Sequence, residues 1–339
     1  MQNKKIIDLR SDTFTKPCLS MRKAIFDAKV GDDVYKEDPT INELEKLGAK
    51  ITGKKAALFT SSGTQSNLIA LLTHCRRGDE YITGQTAHTY KFEGGGAAVF
   101  GSIQPQPIDF ELNGTLSLDK IQKAIKPKDF HFANTKLICL ENTQNGLALP
   151  LDYLFCVKKF AKKHSLKTHL DGARVFNASI KLKTTTKKIA NNFDSISICL
   201  SKGLGAPIGS LLCSDKKFIS KARRWRKVLG GGMRQAGIIA NAGIFALKNN
   251  IKRLAQDHTN AKILANALKK IDGLKVEYDL MQTNMVFVQA KKCHHNLKNQ
   301  LKQKNILINA NKKIRMVTHL DITKDDIHYV IEQFNFFLK

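Results

Sequence analysis

Lys202 and Asp171 are the residues of this 339-residue chain whose types and settings point most directly to chemistry. Lys202 follows the alternating run Ile196-Ser-Ile198-Cys-Leu200-Ser201 and opens a glycine-broken turn, Lys202-Gly-Leu-Gly205-Ala-Pro-Ile-Gly209. Partial desolvation of a lysine lowers its proton affinity and frees the amine as an imine-forming nucleophile. Earlier in the chain a second strand-like run, Leu166 to Leu170, ends in Asp171-Gly-Ala-Arg174. An acid and a lysine on neighbouring strand ends are the pair a pyridoxal phosphate site needs, the lysine for the aldehyde and the carboxylate for the pyridinium nitrogen. An isolated buried carboxylate is too costly to keep, so the alternative partner for Asp171 is Arg174.

Two more segments carry chemistry of the same kind. Ser62-Gly63-Thr64 precedes a helix expected from about Asn67. Small residues there leave backbone N–H groups open to an anion at the helix N-terminus, although the same residues could simply cap a helix. His88 lies in the turn-rich segment Gly84 to Gly96, where it could stack on a planar cofactor or carry a proton near neutral pH. Cys293-His294-His295 superficially suggests a metal, but adjacent helical residues cannot all face one ion, and no metal is expected. The 203–209 turn lacks the spacing and the following acid of a dinucleotide fingerprint.

The elements that must position these residues alternate from about residue 20 to 245. Strand-like runs at Ala56–Phe59, Glu80–Thr83, Leu137–Leu140, Leu166–Leu170, Ser195–Leu200 and Ser210–Cys213 alternate with helical patterns at Asn67–His74, Leu118–Ile125 and Leu151–His164. That grammar predicts an α/β fold with a mainly parallel sheet. Beyond about 245 it changes: helical stretches at Ile239–Lys248 and Ile251–Ile271 lead to runs at Leu274–Tyr278, Met285–Val288, Ile306–Asn309 and Arg315–Val317, then to a helix from Thr323. This predicts a smaller α+β lobe. The segment Ile6 to Ser11 is too short to stand alone and is expected to pack near the lobe junction. Four strand-like runs end in polar turns (Thr60 to Thr64, Glu141-Asn142-Thr143, Asp171 to Arg174, Ser201-Lys202), and such turns should converge outside the carboxyl edge of one sheet.

Composition sets the broad class. A hydrophobic content of 42% is ordinary for a globular chain, and no stretch approaches the roughly 20 apolar residues of a membrane span. Seven scattered cysteines without a paired motif suggest reduced thiols and a cytoplasmic location, and the first residues do not read as a secretory signal. The net charge of +27 would point to nucleic acid if it were clustered. It is instead spread along the chain. Its densest run, Lys216 to Leu229, carries Phe218, Ala222, Trp225 and Leu229 at helical spacing, which reads as a core-facing stripe with lysines solvated opposite.

Taken together, the segments IDLRSDTFTKP (7–17), VGDDVYKEDPT (30–40), SSGTQSNLIALL (61–72), HTYKFEGGGAAVFGSIQPQPI (88–108), LENTQNG (140–146), HLDGARVFNA (169–178), SICLSKGLGAPIGSLL (197–212), RWRKVLGGGMRQAG (224–237) and IRMVTHLDIT (314–323) resemble the low-specificity L-threonine aldolases, of the β-eliminating lyase/threonine aldolase family of fold-type I pyridoxal phosphate enzymes. The resemblance implies the α/β fold of those enzymes. A large cofactor-binding domain over 19–245 would hold a seven-stranded, mainly parallel sheet, and a small domain would combine 1–18 with 246–339. It implies Lys202 as the cofactor lysine, Asp171 as the pyridinium partner, His88 as the stacking ring, and Ser62, Gly63 and Thr64 as the phosphate turn. Ser11, Arg174 and Arg315 match residues that hold the substrate carboxylate, a task suited to guanidinium forks. Lys227 and Arg234 match positions that approach the phosphate from a neighbouring subunit, and Tyr35 and Tyr90 match substrate-pocket residues near that interface.

The activity implied is cleavage of L-threonine and L-allo-threonine to glycine and acetaldehyde by a homotetramer built from dimers that share active sites. Either His88 or a phosphate-held water would take the β-hydroxyl proton. Two departures stand out. Gln144 replaces a common histidine on the hydroxyl side of the substrate, and glutamine can hydrogen-bond a hydroxyl but not act as a base. Ala206 replaces a frequent threonine beside the lysine. A related lyase or aldolase acting on another β-hydroxy amino acid, such as phenylserine, would share the cofactor residues. A nucleic-acid binder would rest on charge alone.

Overall fold

The computed structural model of the chain describes residues 5–277, 281–290, 294–310 and 313–338, apart from the side chains at 294 and 295. After a short strand β1 (Ile7–Asp8), seven strands form one sheet: β2 (Ala56–Thr60), β3 (Asp79–Gly84), β4 (Gln104–Ile108), β5 (Asn134–Glu141), β6 (Lys167–Gly172), β7 (Ser195–Cys199) and β8 (Ser210–Ser214). Their order across the sheet is β2-β8-β7-β6-β5-β3-β4. Strand β8 pairs antiparallel with β2 and with β7, and the remaining pairings are parallel. Since β2 and β7 both oppose β8, they point the same way. The carboxyl ends of β2, β7, β6 and β5 therefore share one edge of the sheet.

Burial explains why the central strands read so plainly in sequence. Strands β7 and β8 are buried along their whole length, which selects near-continuous apolar runs in a sheet covered on both faces. Strand β4 has no strand-like signature because Gln104-Pro-Gln-Pro-Ile108 carries two prolines that cannot donate to a ladder. It is an edge strand paired only with β3, the setting in which prolines are tolerated. The helix expected from Asn67 begins at Gly63, with Ser62 as its N-cap. The basic run folds as the helix Lys216–Val228, with Ala222 buried, Phe218 and Trp225 packed on the core, and Lys216, Lys217 and Lys221 exposed.

The later residues form a second cluster around smaller sheets. Strands β9 (Leu274–Val276), β10 (Met285–Ala290), β11 (Ile306–Leu307), β12 (Asn309–Ala310) and β13 (Ile314–Val317) include an antiparallel sheet in the order β12-β13-β10-β9, while β11 pairs parallel with β1. The run expected over Ile306–Asn309 is thus split at Ile308. The predicted helix Ile251–Ile271 is shorter, Leu254–Leu268, and Tyr278 of the run from Leu274 lies outside the described residues. Ala261, Leu264, Ala265 and Leu268 form a helical stripe that is buried against Val286, Val288, Ile314 and Met316. The N-terminal segment touches both regions. Leu9 O accepts the Val317 amide at 2.8 Å, and Thr15 Oγ1 donates to Lys202 O at 2.9 Å.

Candidate active site

The polar turns expected to converge do so through explicit hydrogen bonds. Glu141 and Asp171 are register partners at the ends of β5 and β6. The Asn142 amide donates to Asp171 O at 2.8 Å, and the Arg174 amide to Asn142 O at 3.3 Å. The β2–β8 pairing sets Thr60 opposite Ser210, which brings the Lys202 turn beside Ser62 and Gly63. Lys202 is half-buried. Among the described residues no carboxylate lies within ion-pair distance of its Nζ, although its charge acts on Asp12 and His88.

Asp171 is buried and held by donors rather than by a cation. Its Oδ1 accepts the Ala173 amide at 3.0 Å and its Oδ2 accepts Asn67 Nδ2 at 2.8 Å. Arg174, the alternative partner for Asp171, turns instead to Asp12. Two bonds join them, Nε to Oδ2 at 2.9 Å and NH2 to Oδ1 at 2.6 Å. Burial raises the proton affinity of Asp12, but the charge and hydrogen bonds of Arg174 outweigh it and hold the carboxyl at about 2. Arg315 is near enough to feel Arg174: burial, and then that like charge, lowers its guanidinium from the ordinary value. One Arg315 bond is satisfied, NH2 to Arg10 O at 3.1 Å, while its Nε is buried with no partner. Two neighbouring guanidinium groups and an orphaned N–H are chemically suited to an anion. Ser11 lies beside it, its hydroxyl accepting the Thr13 amide at 3.2 Å, and a cavity of about 500 Å³ opens on Ser11 and Arg315.

His88 is gripped from two sides. Its backbone N–H donates to Glu141 Oε2 at 2.8 Å and its ring Nδ1 meets Glu93 Oε1 at 2.7 Å, leaving Nε2 free for other partners. The hydrogen bond to Glu93 raises the proton affinity of the ring; burial opposes it and the Asp171 charge adds to it. Burial, followed by the Asp171 charge, pushes Glu141 up to about 7. His88, Glu93 and Asp171 have ligand atoms within 4.8 Å of one another, a spacing that would also suit a metal ion. Asn67 already spans the two carboxylates, with Nδ2 at 2.9 Å from Glu93 Oε1 and 2.8 Å from Asp171 Oδ2.

At the other end of the site, Ser62 Oγ caps the helix by accepting the Gln65 amide at 3.1 Å. Gly63 and Thr64 are its first two residues, whose N–H groups have no partner within a helix. The Ser210 hydroxyl is buried and unpartnered, and a Cβ built on Gly63 would sit 3.7 Å from it. Open amides beside an orphaned hydroxyl suit a phosphate. The cap reading is the one seen, on Ser62 Oγ, and it leaves the amides of Gly63 and Thr64 open.

The remaining expected residues make no hydrogen bond or ion pair to Asp171, Lys202, Arg174 or Arg315 among the described residues. Tyr90 is half-buried two residues after His88, while Tyr35 is 71% exposed in the turn Asp33–Tyr35. Gln144 is buried, with Nε2 at 3.5 Å from Thr86 Oγ1. Lys227 and Arg234 are exposed, and Arg234 pairs with Asp32 at 3.0 Å. No hydrogen bond among the described residues joins either of them to Ser62, Gly63 or Thr64. Cys293 and the side chains of His294 and His295 lie outside the described residues. Three residues enter the site without having been expected there, Asp12, Asn67 and Glu93, while Glu141 belongs to a turn expected to converge but was given no role. Glu93 sits five residues after His88, on the turn that returns to it, which is the one local signal among them. Asp12 carries no such signal, because its partner is 162 residues away.

Comparison with known proteins follows the same lines. The profile of the Beta-eliminating lyase family matches residues 8–291. A low specificity L-threonine aldolase of Escherichia coli strain K12 is 51% identical over 98% of this chain and 99% of its own. A probable low-specificity L-threonine aldolase 2 of Arabidopsis thaliana is 45% identical over 97% and 96%. Among solved structures, the threonine aldolase of Leishmania major superimposes with a TM-score of 0.84 at 20% identity, covering 98% of this chain and all (100%) of that one. The fold-type I architecture implied by resemblance is the one observed.

Proposed function

The chain belongs to the Beta-eliminating lyase family, among relatives named low-specificity L-threonine aldolases, and we propose that it cleaves L-threonine and L-allo-threonine to glycine and acetaldehyde. It is a pyridoxal phosphate-dependent lyase. The residues present fit that cofactor: open amides at Gly63 and Thr64 beside the orphaned Ser210 hydroxyl for the phosphate, and a free amine at Lys202 for the aldehyde. The observation that carries the reading is Asp171, a buried carboxylate one strand from Lys202 with hydrogen-bond donors and, among the described residues, no cation within ion-pair distance. A pyridinium N–H supplies that cation.

When bound, the cofactor supplies an aldehyde for the substrate amine and a cationic ring that takes up the electron pair of the breaking Cα–Cβ bond. The protein supplies orientation and proton handling. Arg174 keeps its NH1 free of the bonds to Asp12, and with Arg315 and Ser11 it holds the substrate carboxylate. His88 would lie against the cofactor ring and has Nε2 available for the β-hydroxyl proton; a water on the phosphate would be the other base. Gln144 serves the hydroxyl side, where it donates or accepts a hydrogen bond without taking a proton, and Tyr90 lines the substrate pocket near the subunit interface.

The proposal includes a homotetramer of dimers with Lys227, Arg234 and Tyr35 completing a neighbour's site. Exposed apolar side chains support association, among them Leu19, Phe26, Phe92, Val99 and Val228. A cytoplasmic location is supported by six described cysteines, all free thiols. No helix among the described residues is long and apolar enough to cross a membrane. The test is a spectrum and a product assay. Protein with pyridoxal phosphate should absorb in the visible, change on addition of L-threonine, and release acetaldehyde; a colourless protein that releases none would sink the reading.

A further inference from the structure

Behind Asp171 runs a line of buried polar groups that the proposed mechanism does not use. Asn67 and His74 lie seven residues apart on one face of the helix Gly63–His74, and they close over β6 and β7, where His169 and Ser195 are register partners. His74 Nε2 is 2.7 Å from Ser195 Oγ, which is 2.8 Å from His169 Nδ1. His169 Nε2 is 3.2 Å from Asn67 Oδ1. Asn67 Nδ2 then reaches Asp171 and Glu93 at 2.8 and 2.9 Å.

Chemistry fixes the direction of each bond in this line. Two carboxylate oxygens can only accept from Asn67, so its NH2 faces them and its Oδ1 faces His169. An amide oxygen only accepts, so His169 carries its hydrogen on Nε2. Burial pushes His169 down to about 3 and His74 down to about 3, so both rings are neutral at ordinary pH. His169 Nδ1 is then an acceptor, Ser195 O–H donates to it, and His74 Nε2–H donates to Ser195 Oγ. Every hydrogen points toward Asp171 and Glu93. A neutral line of this kind transfers no charge; it holds one amide in one orientation.

We propose that Asn67, locked by His169, Ser195 and His74, is the positioning residue that ties the cofactor's carboxylate partner to the His88–Glu93 pair. The proposal rests on the cofactor reading above. One amide sets the distance between Asp171 Oδ2 and Glu93 Oε1, and Glu93 in turn sets the plane of the His88 ring through Nδ1. With Oδ1 on the Ala173 amide and Oδ2 on Asn67, Asp171 keeps one unused lone pair on each oxygen for the ring nitrogen it would bind.

The experiment uses the full chain loaded with pyridoxal phosphate. Asn67→Ala and Asn67→Asp should each weaken cofactor binding by about tenfold or more, read from apoprotein reconstitution, because a hydrogen bond to a charged group is lost. Their kcat should fall similarly while KM for L-threonine moves less than about threefold, since the carboxylate arginines are untouched. Ser195→Ala removes the hydroxyl between the two buried rings, frees the His169 ring to turn, and should move both quantities in the same direction at a temperature where circular dichroism shows the variant folded; it decides the matter if the Asn67 variants fail to fold. Wild-type cofactor affinity and kcat in these variants would overturn the proposal. Failure of the wild-type protein itself to take up the cofactor would overturn the function along with it.

Discussion

Asp12 and Arg174, 162 residues apart in the chain, are joined by a two-pronged ion pair, Nε to Oδ2 at 2.9 Å and NH2 to Oδ1 at 2.6 Å. Asp12 is wholly buried and the Arg174 side chain nearly so. The pair pins the N-terminal segment to the turn after β6 and commits two edges of the Arg174 fork. NH1 is left outside those two bonds, and the charge of Arg174 is felt at Arg315. Asn284 Nδ2 approaches the same carboxylate at 3.5 Å, so the pair also reaches the sheet that carries Arg315.

This pair should be visible in acid. The Asp12 carboxyl is lowered in the folded chain from 3.8 to about 2, so its contribution is present above the unfolded value and is lost as pH falls through the folded one. The contribution is about 2 kcal/mol at neutral pH, by the energy equivalent of a pKa shift. Urea denaturation of wild type and Asp12→Asn should therefore differ most at roughly pH 5 to 7 and converge between roughly pH 4 and 2. A difference that stays constant down to the lower limit would contradict the assignment.

Lys202→Ala should lower turnover of L-threonine by about a thousandfold or more while leaving the fold intact, because the variant lacks the amine that engages the aldehyde. Circular dichroism and an acetaldehyde assay on the same preparation separate the two effects. Turnover within about tenfold of wild type would rule out the lysine's role.

Replacing Arg315 tests the anion site. Arg315→Leu removes one guanidinium and its orphaned Nε, and KM for L-threonine should rise by about tenfold to a hundredfold, as for loss of a charge-assisted pair. Arg315→Lys should recover little, since a point charge does not reproduce the fork. The visible band of bound pyridoxal phosphate should be unchanged in both.

The pH profile reports the grip on His88. Glu93 raises the proton affinity of the ring above its ordinary 6.5, and a protonated ring cannot accept a proton. If His88 is the base, kcat/KM should rise on the alkaline side of that ordinary value, and Glu93→Gln should move the acid limb to lower pH. An acid limb that Glu93→Gln leaves in place assigns the base to the phosphate-held water.

Much of this architecture is legible in consecutive residues. The strand ends carrying Asp171 and Lys202, the small-residue turn Ser62-Gly63-Thr64 and the core-facing stripe of Lys216–Val228 are local patterns, set by periodicity and turn chemistry. Strand β4 is not legible, because its prolines mimic a loop and only its edge position excuses them. The start of the helix at Gly63 is ambiguous in sequence because small polar residues signal a turn and a cap equally well.

By itself the sequence determined the chemistry on offer, an amine, a strand-end carboxylate and two arginines, and the order in which the strands deliver them. The tertiary structure decided which of these groups hold one another. Arg174 pairs with Asp12 rather than Asp171, His88 leans on Glu93, and Asn67 bridges residues 26 and 104 positions further along the chain. The physical reason is range. A hydrogen bond acts over about 3 Å and says nothing about sequence separation, so its partners are set only when the sheet order brings distant turns to one edge.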